Sequence, residues 1–162
     1  MYMEVSSVFS LYPILIYLQP MQKATEKITI YTDGGARGNP GRAAAGAVIF
    51  NGEGKVLKEI SDYLGETTNN VAEYEALVRA LGAAHKLFGK KLLDMQVEIK
   101  MDSELIVRQM QGRYKVKAPN LKEYFVRVQA LLRDMPHHLF VHIVREKNKH
   151  ADLLVNRAID TH

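Results

Sequence analysis

The chain has no cysteine among its 162 residues, and that absence removes several kinds of chemistry. It excludes a disulfide framework, a thiolate metal site and a thiol nucleophile. A reducing cytoplasm suits such a chain, and a cytoplasmic location is the expectation. Also missing is any apolar stretch of the roughly 20 residues that a membrane-spanning helix needs. The longest candidate, residues 8–18 (VFSLYPILIYL), is interrupted by Pro13. No basic residue precedes it, since the first lysine is Lys23, and no small-residue cleavage pattern comes after it, so it lacks the make-up of a secretory signal. There is no internal repeat, no low-complexity tract and no serine triad. What remains has one domain's length and is 47% apolar and 25% charged, as in an ordinary globular protein.

Residues 1–26 differ in character from the rest of the chain, and Met21 stands just before the first strand-like segment. The expectation is an extension over 1–26 outside the fold, with Met21 as the functional start, and a single domain over 27–162. Within that domain KITIYT (27–32) alternates as a strand does and runs into Asp33-Gly34-Gly35. Ala44–Phe50 reads as a second strand, and Asn51-Gly52-Glu53-Gly54 as a hairpin turn into a third over 55–64. Asn69 or Asn70 is placed to cap a helix that Gly89 stops. A fourth strand (95–101), a short helix (103–111), a helix opened by Pro119 (to 133), a fifth strand (138–144) and a last helix (148–159) complete the chain. Three meandering strands followed by strands alternating with helices predict a mixed α/β sheet.

Four acids stand in distinctive settings: Asp33 in YTDGGARGNPG (31–41), Glu73 in TTNNVAEYEAL (67–77), Asp102 in KMDSELIVRQ (100–109) and Asp152 in REKNKHADLLVNRA (145–158). Each has an ordinary structural reading. Asp33 suits a turn before two glycines, Glu73 a capping box three residues after Asn70, Asp102 the cap of the following helix, and Asp152 the first turn of a helix dipole. Glu73 is the most informative. At 100° per residue, Leu77, Ala80, Leu81 and Ala84 lie within about 80° of it, so an acid shares the apolar face, which is costly unless something pairs with it. Asp102 follows the alternation Val97, Ile99, Met101 and leaves the carboxyl end of its strand, where open α/β sheets place ligands. Four carboxylates from four elements repel one another unless cations hold them, and a hard divalent ion such as Mg²⁺ prefers oxygen ligands and also binds phosphates.

Net charge is +4. Setting the four acids aside lowers 18 acidic residues to 14, against 22 basic ones. A basic body around an acidic cleft suits a polyanion that is gripped and cut, although a mildly basic globular protein has the same balance. Thr67-Thr68-Asn69-Asn70 places hydroxyls, amides and backbone N–H groups at a helix start, a neutral reader of anions and hydroxyls or simply a cap.

In order and spacing these motifs resemble the ribonuclease H family, type 1, from about Ile28 to Ile159. The resemblance implies a five-stranded mixed sheet, three strands antiparallel and two parallel, flanked by helices. It implies an endonuclease that hydrolyses the RNA strand of RNA/DNA hybrids, leaving 5′-phosphate and 3′-hydroxyl ends. It also implies two metal ions, Mg²⁺ with Mn²⁺ able to substitute, held by Asp33, Glu73, Asp102 and Asp152. Gly34, Asn39, Thr68, Asn69, Asn70 and Arg108 are the implied substrate contacts, the Asn pair reading the 2′-hydroxyls that distinguish RNA. No membrane and no obligate protein partner are expected, and a monomer is. Two departures stand out. The basic stretch Arg108, Arg113, Lys115, Lys117 and Lys122, with Tyr114 inside it, is much shorter than the basic handle of many bacterial members. The loop histidine after the fifth strand is absent: His142 lies in the strand with a structural role expected, and His150 lies on the lead-in to the last helix. A hybrid-binding module without activity and a different nuclease of the same fold are the rival readings. The full set of acids argues against the first and the Asn pair against the second.

Overall fold

Alternating residues build the first strand, β1 (Lys27–Gly38), with Ile28 and Ile30 buried on one face. β1 does not end before Asp33 as the alternation predicts. It continues through Gly34-Gly35-Ala36, which pair antiparallel with Ala45, Ala44 and Ala43 of β2 (Gly41–Asn51), and the turn falls at Asn39-Pro40. Backbone ladder bonds need no side chains, so small residues on both strands sustain the hairpin while leaving room above it. The computed structural model describes residues 25–162; the 8–18 run and Met21 lie outside the described residues.

The Asn51 side chain organises the next turn by accepting from the N–H groups of Glu53 and Lys55, and Gly54 takes the positive φ of +82°. β3 (Val56–Thr67) then pairs with β2, reaching further than expected because Glu66 and Thr67 still face Arg42 and Gly41. β4 (Gln96–Met101) runs parallel to β1, and β5 (His138–His142) parallel to β4. The sheet order is β3-β2-β1-β4-β5, three antiparallel strands followed by two parallel ones.

α1 (Asn69–Phe88) is capped by Thr68, whose hydroxyl accepts from the Val71 N–H at 3.4 Å; Asn69 and Asn70, the expected caps, are its first two residues. Glu73 is therefore too far along for a capping box. Its face-mates Leu77, Ala80, Leu81 and Ala84 are fully buried. A 3₁₀ turn (Gly89–Leu93) leads to β4. α2 (Glu104–Met110) and α3 (Pro119–Leu132) come next, α3 packing on α1. α4 (Lys149–Asp160) covers β2 with Val155, Ala158 and Ile159 in a second apolar cluster with Ala44. Among the described residues no helix is long and apolar enough to cross a membrane.

Two glycines set the helices on the sheet. A Cβ on Gly34 would lie 2.2 Å from the backbone of Ala72 and Glu73, and one on Gly46 would lie 2.4 Å from the Ala151 carbonyl oxygen. Neighbours along the ladder point to opposite faces, and Gly46 is paired with Asp33 itself. Helix backbone therefore presses on both faces of the sheet beside Asp33. Gly34→Ala is expected to lower the unfolding free energy by about 3 kcal/mol or more, because the obstruction is backbone and has no rotamer to yield. Gly82→Ala, mid-helix with open space around it, should stabilise by about 0.5–1 kcal/mol. Urea unfolding of both variants checks the contrast, and similar midpoints would contradict it.

Candidate active site

Parallel pairing of β1 with β4 brings Thr32 opposite Met101, so the next residues, Asp33 within β1 and Asp102 just past β4, lie side by side. Gly34 admits the α1 backbone at the same level and delivers Glu73. Carboxylate oxygens from Asp33, Glu73 and Asp102 all lie within 4.8 Å of one another. Asp33 is only 7% exposed. Glu73 as a residue is half-buried, yet its Oε2 is fully enclosed and has no hydrogen-bond partner.

Burial is the main force on these acids. It raises Asp33 to a pKa of about 7, with Asp102 and Asp152 adding repulsion, while Arg145 and the Gly34 N–H pull it back. Burial likewise pushes Glu73 well above the carboxylate range, reinforced by Asp33 and then Asp102. A buried acceptor without a donor is unfavourable. Three convergent oxygen donors, one of them orphaned, form a donor set that fits a hard divalent cation.

Asp152 is not part of that triad. Its Oδ1 accepts from Arg145 Nη2 at 2.9 Å and its Oδ2 from Asn156 Nδ2 at 3.2 Å. It lines the same cleft of about 320 Å³ as the three acids and Arg145. The structure thus brings three of the four expected acids together and holds the fourth across the cleft in an ion pair. Its position in the first turns of α4, against β1 and β2, is what aims it there.

Sequence reasoning missed two residues here. Arg145 sits in a 3₁₀ turn between β5 and α4 (Arg145–Lys147), and nothing in REK marks it as the partner of Asp152. Asn148 is 1% exposed and donates through Nδ2 to the Thr32 carbonyl (2.9 Å) and to Asp102 Oδ1 (3.0 Å). Nothing in the string KNKH separates a buried amide from an exposed one. The one signal in the sequence was its place four residues before Asp152, at the helix cap.

The expected substrate contacts divide into two groups. Asn39 Oδ1 accepts from the Asn69 N–H (3.1 Å), and Asn69 Oδ1 accepts from the Ala36 N–H (2.7 Å). These two amides therefore clamp the β1–β2 hairpin to the start of α1, and Asn70 stands exposed beside them. Gly34 lines the cleft through its backbone, and Thr68 serves the cap. Arg108 is elsewhere: Glu104 binds its guanidinium, which lies 5.4 Å from the Tyr114 ring centre, and it does not line the cleft. Arg113, Lys115, Lys117 and Lys122 are exposed. His142, expected to be structural, is exposed at the end of β5, and His150 on α4 pairs with Glu59. A larger hollow of about 480 Å³ lies over Thr29, Tyr31 and Phe50. Its Lys27 and Lys100 already bind Glu98, and it gathers no acid cluster.

A family model described as "Reverse transcriptase-like" matches residues 31–158. Among solved structures, LC11-RNase H1, isolated from compost by a metagenomic approach, is 62% identical with a TM-score of 0.79, covering 83% of this chain and 96% of that one. The same protein has also been crystallised in complex with RNA/DNA hybrid, at 61% identity and a TM-score of 0.79 over 83% of this chain and 97% of that one. Ribonuclease HI of Halobacterium salinarum is 39% identical over 134 residues, 83% of this chain and 65% of its own length. The bifunctional protein Rv2228c of Mycobacterium tuberculosis is 42% identical over 135 residues, again 83% of this chain. The chain thus spans only 36% of the mycobacterial relative and just under two thirds of the haloarchaeal one. With the family model spanning most of the chain, and the expected sheet order and acid-bearing elements in place, this chain belongs to the ribonuclease H family, type 1.

Proposed function

We propose that this protein is an endonuclease that hydrolyses the RNA strand of RNA/DNA hybrids, leaving 5′-phosphate and 3′-hydroxyl ends. The observation that carries the proposal is the convergence of Asp33, Glu73 and Asp102 around an orphaned, enclosed Glu73 oxygen. The likeness to a protein crystallised with RNA/DNA hybrid supports the choice of substrate. Asp33, Glu73 and Asp102 would hold Mg²⁺, or Mn²⁺ in its place, with Asp152 serving a second ion beside the substrate. Cations bound there supply acidification of an attacking water and neutralisation of charge on the phosphate and the departing oxygen. The chain contributes the enclosed carboxylates, a cleft open to a backbone phosphate, and the Asn70 amide at the start of α1 for the RNA 2′-hydroxyls. A cytoplasmic setting accords with the cysteine-free composition.

Incubating an RNA-labelled hybrid with the protein and Mg²⁺ tests the activity directly: internal cuts in the RNA are expected, and end-trimming or no cleavage would refute the reading. Asp102→Asn keeps the shape and removes a charge. It should lower kcat/KM about 100-fold or more, a loss of roughly 3 kcal/mol of transition-state stabilisation, with hybrid binding retained. Turnover equal to the parent's at saturating Mg²⁺ would remove Asp102 from the metal site.

The Asn pair separates by structure. Asn69→Ala breaks the hairpin clamp and should cost stability of about 1 kcal/mol along with activity. Asn70→Ala should leave the thermal midpoint unchanged while raising KM for the hybrid and weakening preference for it over a DNA duplex. An Asn70 variant with parental KM and parental discrimination would deny it the reading role.

The acids also predict a pH dependence of stability in the presence of chelator. Asp33 binds its proton more tightly folded (about 7) than unfolded (3.8), so its contribution is most favourable below pH about 4 and declines as pH rises toward 7. At about 1.4 kcal/mol per unit, the decline is on the order of a few kcal/mol. Asp33→Asn should remove that slope and leave the variant more stable than the parent at pH 7 in EDTA. Urea midpoints at pH 4.5 and 7 decide it; equal slopes in parent and variant would contradict the assignment.

A further inference from the structure

We propose that Asn148 is a positioning residue for the carboxylate site, one that fixes the orientation of Asp102 and locks β1, β4 and α4 together around it. The proposal rests on the metal-holding role given above to Asp102, and it concerns a residue that touches none of the reacting atoms itself.

The geometry has a feature that a plain helix cap does not explain. Asn148 occupies the N-cap position of α4, yet its side chain makes no capping hydrogen bond. An N-cap asparagine ordinarily turns its Oδ1 toward the free N–H groups of the first helical turn. Here the amide faces the other way. Nδ2 donates to the Thr32 carbonyl and to Asp102 Oδ1, and Oδ1 is left buried with no partner. The opposite amide orientation is excluded by chemistry, because it would set an oxygen against a carbonyl and a carboxylate, both acceptors. The chain therefore gives up a cap and leaves an acceptor unsatisfied in order to place two donors where they are.

Each of those donors reaches an acid-bearing element. Thr32 immediately precedes Asp33, Asp102 directly follows β4, and the Asn148 carbonyl accepts from the Asp152 N–H at the start of α4 (3.1 Å). One buried residue thus links the backbone or side chain beside three of the four acids. The charge state matters as much as the position. Arg145 neutralises the acid it binds, whereas a neutral amide restrains a carboxylate against rotation and leaves its charge available to a cation.

Three variants test this, each read by calorimetric titration of Mg²⁺ without substrate, by thermal midpoint, and by kcat and KM on the hybrid. Asn148→Ala should weaken Mg²⁺ binding about tenfold or more and lower kcat with KM for the hybrid little changed. Asn148→Ser restores a good N-cap but cannot span both acceptors, so it should keep the midpoint and still lose Mg²⁺ affinity. Ser61→Ala removes a different anchor of α4, the bond from Ser61 Oγ to the Leu154 carbonyl (2.7 Å), and should leave Mg²⁺ affinity at the parental value. In an Asp102→Asn background the further effect of Asn148→Ala on Mg²⁺ affinity should vanish, as it must for a residue acting through Asp102. Parental Mg²⁺ affinity and kcat in Asn148→Ser would overturn the proposal, and so would an equal affinity loss in Ser61→Ala. Failure of the parent to cut hybrid would sink the functional reading alone, since the titrations use no substrate.

Discussion

The structure depends on two absent Cβ atoms. Gly34 and Gly46 sit on adjacent strands beside Asp33 and let helix backbone rest on opposite faces of the sheet. Any larger residue at either position would stand a helix off by more than the carboxylate convergence tolerates. The run of small residues around them, Ala43 to Ala45 facing Gly34 to Ala36, extends the same economy of volume along the hairpin. Close packing here does more than exclude water. It determines that acids from the middle of one strand, the end of its neighbour and a helix share one small space.

Gathering them has an electrostatic cost that the fold does not offset internally. Burial raises both Asp33 and Glu73, and Arg145, the cation that draws both back, is mostly solvent-exposed and paired with Asp152. Elsewhere several ions are paired: Arg79 lies between Asp62 and Glu75, and Lys27 and Lys100 bind Glu98. The site differs from these pairs in gathering buried acids without matching cations, which is how a functional cluster differs from a structural one.

Much of this was legible in the sequence. Strand alternation, the apolar stripe of α1 and the four acid motifs gave the sheet, the long helix and the triad, since each rests on local periodicity or on residue type. What escaped depends on contacts across the chain. β1 outruns its alternating segment because Gly34 and Gly35 look like a turn until Ala44 and Ala45 lie opposite them. The cap of α1 was assigned to an asparagine because Thr68, Asn69 and Asn70 are all good caps, and only the hairpin's claim on Asn69 decides among them. Arg108, an implied substrate contact, is bound by Glu104 beside Tyr114 and lies outside the acid-lined cleft, a placement its motif does not show. Asp152 lines the same cleft but stands apart from the triad, bound by Arg145, and its motif alone does not show that separation. Arg145 and Asn148 carry no local signature, so their roles emerge only from the fold.

The start of α1 carries the exposed Asn70 and the enclosed Glu73 three residues apart on one rigid helix, seated on Gly34. Three residues of helix amount to about 4.5 Å of axial rise, a separation that no side-chain motion changes much. On the proposed function, with Asn70 reading a 2′-hydroxyl and Glu73 serving the cut, α1 would act as a ruler: the nucleotide that is recognised would fix which phosphate is broken. An enzyme built that way would count along the RNA backbone from a sugar and would need no base sequence to choose its place.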